Sequence, residues 1–575
     1  MGVKSEVNKK SPGRILFEDE NKIADNKSVF LVLDGHLFDS NLLNAVMDVF
    51  EANNCGVEID TIDVGGKTLD GINRPSHAVL RVFCLNPNGS VDALKKVADD
   101  AASLVPLNPR AEATFKVITP VASSSVTNVT SLDQKNILLV GAGMVANSFA
   151  EYLGRTDDNV IHVAGNVAAD VESVYSEAKH GRGHVFDLTC DPTRLESLVA
   201  DADVVVSLLP ATLHPMIAEL AINNKTNMVS ASYVSPAIQA MHQRAVDAGI
   251  TILNEVGLDP GMDHMSAMRI MDGVKARGGW IKHFSSVCGG LPAPECANNP
   301  LMYKFSWSPM GVLTASQNPA TYLKNGEVIN VEGEEMLNSA YDIFSFPTMN
   351  MECLPNRDSL AYKEIYGIES AESCFRGTLR FKGFSELMYG AKKLGLLDDA
   401  PCDGETWSAT VAGLLAKHNC SDLREFYVKK CGGTAEQGVK MEQMLSWFDM
   451  LEGPLKVSNG DSRVKSLCDL LEGRLGYGEK ERDMVAMAHD IVAEFPDGTL
   501  EQHDSTLLMY GDDQFSAMGR TVGVTCAIGT EMVIDGWIKE KGVLVPMTKN
   551  IYDKGLELLE KEGMKFEESC RVIRK

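Results

Sequence analysis

The chain has 575 residues, which is enough for three or four domains of ordinary size. With 44% hydrophobic and 23% charged residues, its composition is typical of soluble globular proteins. A formal net charge of −25 argues against nucleic acid or an anionic membrane surface as the principal partner. It does not exclude anionic small molecules, because a basic pocket can lie within an acidic protein.

The thirteen cysteines form no CxxC or CxxxH pattern, so we expect reduced thiols, no disulfide framework and no metal site. No apolar run reaches the roughly 18 residues that a membrane helix needs, so we expect no membrane partner. The first residues, MGVKSEVNKKSPGRILFEDENK, have the character of neither a signal nor a transit peptide. We therefore expect a flexible tail over residues 1–26 and a cytoplasmic protein, with the mitochondrial matrix as the alternative.

Residues 27–130 have the pattern of a small α+β domain followed by a linker. The segments SVFLVLDG, VEIDTIDVG and HAVLRVFCL are typical of strands, whereas SNLLNAVMDVFEANN and SVDALKKVADDAASLV have helical spacing. The order strand, helix, strand, strand, helix predicts a ferredoxin-like domain. The Ser/Thr/Val-rich segment TPVASSSVTNVTSLDQ predicts the linker.

Apolar strands and helices then alternate, which predicts a parallel sheet covered on both faces. The segment NILLVGAGMVANSFAEYL places Gly141, Gly143 and Ala146 in a G-x-G-x-x-A pattern between a strand and a helix. Gly141 permits a tight turn, Gly143 lets the backbone approach a pyrophosphate, and Ala146 allows close packing of helix on strand. The helix N-terminus supplies free N–H groups and positive potential. This segment predicts a dinucleotide-binding Rossmann domain.

Two further strand ends are candidates because ligands lie at the carboxyl ends of such strands. Asp187 in HVFDLT ends the third strand, where it could face the adenine. Leu209 in SLLP ends the fourth strand, on the nicotinamide side. The alternative is that both residues simply terminate strands.

Five later segments occur in a fixed order: SASYVSPA, NEVGLDPGMDHM, CGGLPAPECANNPLMYKFSWSPMGVL, PNRDS and FRGTLRFKGF. Together they resemble saccharopine dehydrogenase of the L-glutamate-forming type, over residues 131–575. In animals this enzyme is the C-terminal half of the bifunctional aminoadipic semialdehyde synthase, and in fungi it is the separate saccharopine reductase. Residues 28–106, most clearly GHLFDSNLLN, resemble the linker domain of the bifunctional enzyme.

The resemblance implies the reaction: saccharopine and water give L-glutamate and 2-aminoadipate 6-semialdehyde, as in lysine degradation, and hydride passes to a nicotinamide cofactor. It also implies an α/β architecture. We expect a Rossmann domain at 131–262 completed by 525–575, and a mixed-sheet α/β substrate and dimerisation domain at 263–385 completed by 493–524. A helical insertion would occupy 386–492. Catalysis would take place in the cleft between the first two domains of a homodimer.

Saccharopine carries three carboxylates, which arginine binds bidentately. The resemblance assigns the substrate contacts to six residues: Ser232, Tyr233, Arg357, Thr378, Leu379 and Arg380. The role of Arg376 is left open.

Amine oxidation and imine hydrolysis both need general acid–base groups. The candidates are Asp259, which the resemblance places against cofactor and substrate, together with Tyr233 and Cys288. Asp259 could instead cap the turn before Pro260 and Gly261. Cys288 precedes two glycines where substrate could approach closely.

Neighbouring residues receive structural interpretations. Asp263 and His264 are typical of residues that fix a helix start, and Lys304 and Trp307 could either form a pocket wall or pack in the core.

The cofactor contacts that the turn and the resemblance imply are Gly141, Ala142, Gly143, Met144, Val145, Asn166, Asp170, Asp187, Leu209, Tyr233, Val234, Ser235 and Asp259. In the family, fungal NADP enzymes place an arginine near the end of the second strand, and animal members place an acid at the position of Asn166. Asparagine can bond a ribose hydroxyl but offers no charge to a phosphate, and Asp170 would repel one. We therefore expect NAD, with NADP as the alternative if Lys179 or Arg182 reaches the site.

Three other functions stay open. The same chemistry could run with NADP in the reductive direction. A related enzyme that joins polyamines through an imine would bind cationic substrates and would not need Arg357 and Arg380. A non-catalytic dinucleotide sensor would keep Gly141 and Gly143 but not the substrate segments.

Overall fold

The computed structural model describes residues 28–35, 46, 49–50, 55–63, 76–84, 96–98, 101, 114–118 and 134–574. The chain divides into two compact units, Met1–Ser131 and Leu132–Lys575. The expected tail and all but the last residue of the expected linker lie outside the described residues.

The first unit contains a four-stranded antiparallel sheet. Its strands are β1 (Ser28–Gly35), β2 (Cys55–Asp63), β3 (Ser76–Cys84) and β4 (Thr114–Ile118). They lie in the order β2-β3-β1-β4, the order of a ferredoxin-like domain, so that expectation is confirmed. Val46 and Phe50 from one helical segment, Ala98 and Ala101 from the other, and Val82 of β3 are fully buried and form its core.

The second unit begins with a seven-stranded parallel sheet. Its strands are β5 (Lys135–Val140), β6 (Asn159–Gly165), β7 (Gly181–Val185), β8 (Val204–Ser207), β9 (Asn227–Ser230), β10 (Thr251–Leu253) and β19 (Gly542–Leu544). The order is β7-β6-β5-β8-β9-β10-β19, so the chain reverses direction across the sheet between β5 and β8. This is the Rossmann arrangement, in which the ligand crevice lies at the reversal point.

Helices cover both faces of this sheet: Ala146–Gly154, Ala168–Tyr175, Pro192–Ala200, His214–Asn224, Pro236–Gln239, His242–Ala248, Thr525–Ile534 and Lys549–Lys561. The last two come from the C-terminal part of the chain, as expected. The last four residues of β5 and all four of β8 are buried, and they are apolar except for Ser207, because helices cover both faces of the sheet there.

A second, mixed sheet has nine strands: β11 (Trp280–Pro292), β12 (Ala320–Lys324), β13 (Glu327–Val331), β14 (Tyr341–Ile343), β15 (Met351–Pro355), β16 (Ser373–Phe381), β17 (Asp483–Glu494), β18 (Leu500–Tyr510) and β20 (Glu567–Arg574). Seven form the path β13-β12-β16-β11-β17-β18-β20, and β15 joins β14 to β16. Strands β11 and β16 run parallel, and the remaining neighbours are antiparallel. The helix Met262–Ala276 leads from the first sheet into this one.

A helical segment follows β16: Phe384–Leu394, Trp407–Lys417, Leu423–Lys430, Ala435–Trp447 and Arg463–Arg474. Shorter helices lie at Pro309–Ala315, Ala361–Ile365 and Ala517–Gly519. Among the described residues, no helix is long and apolar enough to cross a membrane.

The structure corrects two of the expected domain limits. The predicted insertion 386–492 includes most of β17. This strand belongs to the second sheet because it pairs with β11 on one side and with β18 on the other. The predicted completion of the Rossmann domain by 525–575 includes β20, which pairs with β18 of the second sheet instead. Phe566, buried and stacked on His489 of β17, holds this last strand on the second sheet. The other limits stay predictions.

Candidate active site

The glycine-rich turn lies at the reversal point between β5 and β8. Gly141 has φ = +105°, and a Cβ there would lie 2.9 Å from the carbonyl oxygen of Leu208 at the end of β8. A Cβ on Gly143 would meet nothing within 4 Å, so this position faces open space. Within the described residues, no side chain caps the helix that begins at Ala146, which leaves its N-terminal N–H groups for an anion. Ala142 and Val145 are half-buried, and Met144 is exposed beside them.

The end of β6 carries Asn166 and, in the first turn of the next helix, Asp170, and both are exposed. The ammonium of Lys179 pairs with Asp157, which precedes β6 and thus lies at the opposite end of the sheet. Arg182 lies opposite His162, before the carboxyl end of β6. Neither cation therefore lies at the position of a ribose 2′-phosphate.

The other two strand ends differ from each other. The Asp187 carboxylate accepts hydrogen bonds from the backbone and hydroxyl of Thr189 at 2.9 and 2.7 Å, and these bonds lower its pKa. This supports the alternative in which Asp187 shapes its own turn. Leu209 packs partly buried against the core beneath β8.

The loop after β9 contains Ser232, Tyr233, Val234 and Ser235, all partly exposed. The ring of His214 bridges two hydroxyls at 2.8 Å, from Nδ1 to Ser207 and from Nε2 to Ser232. Burial lowers the pKa of His214 to about 4, so its ring is neutral at physiological pH and can accept from one hydroxyl while donating to the other.

Two other contacts fix the same loop. The backbone N–H of Val234 donates to the Glu255 carboxylate at 2.9 Å, and the Ser235 hydroxyl caps the following helix at Ile238. The loop is thus held from several sides, while its side chains stay accessible.

A buried charge network begins at Tyr233. The Tyr233 hydroxyl donates to Asp259 Oδ1 at 2.6 Å, and Nη2 of Arg376 donates to the same oxygen at 2.5 Å. Nη2 also contacts Asp263 Oδ2 at 2.6 Å and the Tyr233 oxygen at 3.2 Å. The side chains of Arg376 and Asp263 are 4% and 1% exposed, whereas that of Asp259 is 16% exposed.

The two carboxyl groups of this network differ in acidity. Burial raises the pKa of Asp259, and the charge of Asp263 adds to that effect even though Arg376 opposes it. For Asp263, burial also opposes ionisation, but His264, Arg376 and the Gly261 N–H together outweigh it and lower its pKa. The network therefore favours the ionised form more strongly at Asp263 than at Asp259.

Aromatic and imidazole groups surround Arg376. Its guanidinium lies over the ring of Tyr362 at 4.2 Å and that of Tyr233 at 5.7 Å. His264 contacts the Tyr366 hydroxyl through Nδ1 at 2.6 Å, and its Nε2 lies 2.9 Å from Glu255 without good hydrogen-bond alignment.

The two arginines assigned to the substrate have different surroundings. Arg357 is exposed, has φ = +53°, and places its guanidinium over the Tyr233 ring at 5.3 Å. Arg380 is 3% exposed and lies between the rings of Tyr303 and Phe384. Its Nη1 donates to the Leu379 carbonyl, its Nε has no hydrogen-bond partner, and no carboxylate among the described residues lies within 4 Å of it.

The remaining candidates lie along β11 and β16. Thr378 is half-buried opposite Cys288, whereas the Leu379 side chain is fully buried in the core and leaves only its backbone for a ligand. Cys288 is buried, and burial raises its thiol pKa well above the usual value, so the thiol is neutral.

The two glycines after Cys288, where we expect substrate to approach closely, also have a packing role. A Cβ on Gly289 or Gly290 would collide with Leu379 or Met518, so both glycines serve strand packing. Lys304 pairs with Glu481 at 2.5 Å and Trp307 packs between two core clusters, which favours the structural interpretation of both residues.

The comparisons with known proteins address the same regions. Two family models match, "Saccharopine dehydrogenase NADP binding domain" over residues 137–253 and "Saccharopine dehydrogenase C-terminal domain" over 257–564. A relative from Saccharomyces cerevisiae named saccharopine dehydrogenase [NADP(+), L-glutamate-forming] is 38% identical over 442 residues, covering 76% of this chain and 99% of its own. The chain belongs to the saccharopine dehydrogenase family.

One solved structure shares the fold, and relatives differ in length. The solved structure of apo histidine-tagged saccharopine dehydrogenase (L-Glu forming) from Saccharomyces cerevisiae superposes with a TM-score of 0.70, at 36% identity, over 76% of this chain and 100% of that one. The Bos taurus protein named alpha-aminoadipic semialdehyde synthase, mitochondrial, is 41% identical over 446 residues, 75% of this chain and 47% of its own. The Arabidopsis thaliana synthase matches 94% of this chain at 34% identity. The chain spans about half the length of these two synthases.

The sequence predictions missed the second layer of the site. Glu255 and His214 were not predicted. Asp263 was expected only to fix the helix start, and its carboxylate does accept a hydrogen bond from the Gly261 N–H there. Tyr362 and Tyr366 lie in a segment without recognisable pattern. The available signal was the concentration of ionisable residues in NEVGLDPGMDHM, where buried charges require partners elsewhere in the chain.

Proposed function

We propose that this chain oxidises saccharopine, with water and a nicotinamide cofactor, to L-glutamate and 2-aminoadipate 6-semialdehyde. The observation that carries the proposal is the buried guanidinium of Arg380, which has no carboxylate within 4 Å among the described residues. A buried cation is costly unless its charge is balanced. Glu352 lies directly across the strands, but its carboxylate accepts from the backbone N–H groups of Gly383 and Ser385, so the Arg380 guanidinium keeps free donors for an anionic ligand. Saccharopine has three carboxylates to offer.

The spacing of the groups suits a long substrate with several anionic ends. Arg376, Thr378 and Arg380 project from the same face of β16 because they are two residues apart. The Cα atoms of the two arginines, four residues apart along the strand, are separated by roughly 13 Å. Arg376 is occupied by Asp259 and Asp263, whereas Arg357 and Arg380 are free of acidic partners within the described part of the chain. We assign carboxylate binding to Arg357 and Arg380, with Ser232, Thr378 and the Leu379 backbone as neutral contacts.

Asp259 and Tyr233 are the proposed proton-transfer pair. The amine must lose its proton before hydride leaves, and the imine must then gain water. Asp259, with its raised pKa and its exposed edge, would accept the amine proton, and Tyr233 would hold the carboxylate in position through its 2.6 Å hydrogen bond. Cys288 would serve as a neutral wall between β11 and β16, because burial suppresses its ionisation.

The dinucleotide would lie on the turn of Gly141 and Gly143, with the uncapped helix N-terminus at its pyrophosphate. When bound, the nicotinamide supplies the hydride acceptor. After β6 this chain has Asn166 and Asp170, and neither side chain offers a positive charge to a 2′-phosphate, which supports NAD. The matching family model and the fungal relatives are named for NADP, which supports the other cofactor. We propose NAD on the residues of this chain, and NADP is the competing outcome.

Saccharopine-dependent reduction of NAD and of NADP, measured side by side with purified protein, tests both statements. We expect reduction with wild type and a large loss with Arg380→Ala. If wild type reduces neither cofactor in the presence of saccharopine, the proposed function fails. Reduction with NADP alone would keep the reaction and overturn the NAD assignment.

The competing functions make different demands on the site. The reductive direction uses the same residues and is compatible with this geometry. A polyamine substrate is cationic, and two unpaired arginines would repel it. Spermidine in place of saccharopine is therefore expected to give no turnover.

The assembly and the compartment stay predictions. We retain the homodimer. The cytoplasmic location competes with the mitochondrial matrix, since mammalian relatives are named mitochondrial.

A further inference from the structure

Three side chains with metal-binding atoms lie close together at the edge of the second sheet that β20 forms. They are Glu501 and His503 of β18 and Cys570 of β20. His503 and Cys570 are direct partners across the two strands, and Glu501 is two residues from His503. Because side chains two residues apart share one face of a strand, all three project from the same face.

The separations of their ligand atoms resemble those in a metal coordination sphere. Glu501 Oε2 lies 3.1 Å from His503 Nε2 and 3.7 Å from Cys570 Sγ, and Nε2 lies 3.8 Å from Sγ. In a tetrahedral zinc site with bonds of 2.0–2.3 Å, neighbouring ligand atoms are roughly 3.3–3.6 Å apart. Small rotations of these side chains would therefore complete three vertices of a tetrahedron.

We propose that Glu501, His503 and Cys570 bind one divalent transition-metal ion, with Zn²⁺ as the preferred ion and water as the fourth ligand. A thiolate, an imidazole and a carboxylate suit zinc, whereas Mg²⁺ and Ca²⁺ require oxygen ligands throughout. Cys570 is exposed, so an ion can enter from solvent.

Arg277 fixes the orientation of the Glu501 carboxylate. Both guanidinium nitrogens of Arg277, which follows the helix Met262–Ala276, donate to Glu501, at 3.0 Å to Oε1 and 2.5 Å to Oε2. Hydrogen bonds of this kind, from a residue that does not itself bind the metal, orient the ligand. Oε2 of Glu501 keeps a second lone pair for an ion shared with His503 and Cys570. A metal ion would displace the thiol proton of Cys570 when it binds, and the thiolate and the Glu501 carboxylate together then exceed the single charge of Arg277.

The expected consequence concerns stability, because none of the three ligands belongs to the network around Asp259. All eight residues of β20 are exposed, and the strand is held on β18 by backbone pairing at the edge of the sheet. A metal ion shared by His503 and Cys570 would link these two strands across 67 residues of chain. The same separation explains why spacing motifs in the sequence gave no sign of the site.

Cobalt titration of the full chain, purified without a polyhistidine tag, tests the proposal. Co²⁺ is the probe because a cobalt–thiolate bond has a characteristic charge-transfer absorption. We expect one equivalent to bind wild type with that absorption, and Zn²⁺ to displace it. Cys570→Ser should abolish the absorption, and His503→Ala should weaken binding by at least the roughly 10–100-fold that losing a group behind a ligand costs.

The matched control is Cys190→Ser, which removes the other exposed cysteine described by the structure and should bind Co²⁺ like wild type. A second measurement covers variants that fold poorly: Zn²⁺ should raise the melting temperature of wild type and Cys190→Ser. Absence of the absorption in wild type, or its persistence in Cys570→Ser, would overturn the proposal. Saccharopine oxidation by metal-free protein distinguishes this result from any failure of the proposed function.

Discussion

Arg376 and Asp259 are joined by a 2.5 Å contact from Nη2 to Oδ1, and the same nitrogen holds Asp263 at 2.6 Å. Arg376 is thereby committed to two carboxylates of its own chain. Arg380, four residues along the same strand, has none within 4 Å among the described residues. One arginine of β16 is therefore held in a buried charge network, and the other keeps guanidinium donors without an acidic partner in the described part of the chain.

Removing the Arg376 charge is expected to destabilise the fold. Arg376→Gln would leave Asp259 and Asp263 facing each other in a buried site, and breaking a buried ion pair from one side costs about 3–5 kcal/mol. We expect a fall of that size in the free energy of unfolding, measured by urea denaturation at neutral pH.

The control for Arg376 is Arg357→Gln, because Arg357 is exposed and its removal should change stability by no more than about 0.5 kcal/mol. Adding Asp263→Asn to Arg376→Gln should recover part of the loss, since one uncompensated charge disappears. A loss below about 1 kcal/mol for Arg376→Gln would contradict the role assigned to the network.

Arg380 is expected to show the opposite balance between stability and function. Arg380→Met replaces a buried unpaired cation by an apolar side chain between the rings of Tyr303 and Phe384, so stability should be kept or increased. If saccharopine binds as proposed, one of its carboxylates loses its buried guanidinium partner, which costs about 2–5 kcal/mol. In steady-state kinetics kcat/KM for saccharopine should fall about 30-fold or more, while KM for the dinucleotide changes little. Unchanged saccharopine kinetics would show that Arg380 has another purpose.

The two glycines of the turn should separate folding from cofactor binding. Gly141→Ala forces a side chain to φ = +105° and against the Leu208 carbonyl, so it should cost about 1–3 kcal/mol of stability and also binding. Gly143→Ala meets no protein atom within 4 Å, so stability should stay within about 0.5 kcal/mol. Its methyl group enters the space of the pyrophosphate, and the dinucleotide Kd, measured by calorimetry, should rise about tenfold or more. Equal effects of the two variants on stability would contradict this division.

The parts of the structure that were predictable from sequence are those with contiguous signals. The strand–turn–helix around Gly141 needs only local residues, and the alternation of strands and helices predicts the parallel sheet. The Arg376 network depends on residues 113 and 117 positions apart, and only the packing of the loop and helix around Asp259 and Asp263 against β16 brings them together. Likewise β20 has a mixed polar sequence, and its place on β18 follows from where Phe566 is buried.

His489 should make stability depend on pH. It is buried between Phe284 and Phe566, and neither ring nitrogen has a hydrogen-bond partner among the residues that the structure describes. Burial lowers its pKa from 6.5 to about 4. Below pH 6.5 the imidazole of His489 is therefore protonated in the unfolded chain, whereas in the folded chain it becomes protonated only near pH 4. The contribution of His489 is therefore complete above pH 6.5 and is lost as pH falls towards 4, at about 1.4 kcal/mol per pH unit.

His489→Phe should flatten that dependence while keeping the stacked packing. The free energies of unfolding of wild type and variant, compared between pH 6.5 and 4, should diverge by up to about 3 kcal/mol in favour of the variant. His214 has a similarly low pKa and remains in both proteins, so the wild-type slope should not vanish completely in the variant. Parallel curves would mean that His489 takes up its proton in the folded state as readily as in the unfolded chain.

The position after β6 should decide the choice of dinucleotide. Asn166 is exposed at the carboxyl end of β6, and Lys179 is bound to Asp157 at the other end of the sheet. Asn166→Arg would supply the missing fork for a 2′-phosphate, and we expect the ratio of kcat/KM for NADP to that for NAD to rise about tenfold, or about 1.4 kcal/mol. Asn166→Asp should move the same ratio about equally far towards NAD.

Asp170→Asn is the matched control, because it removes repulsion without adding a donor for two phosphate oxygens. It should shift the ratio less than Asn166→Arg does. If neither substitution at Asn166 changes the ratio, the 2′ position is read by other residues, and the assignment of NAD to this chain loses its basis.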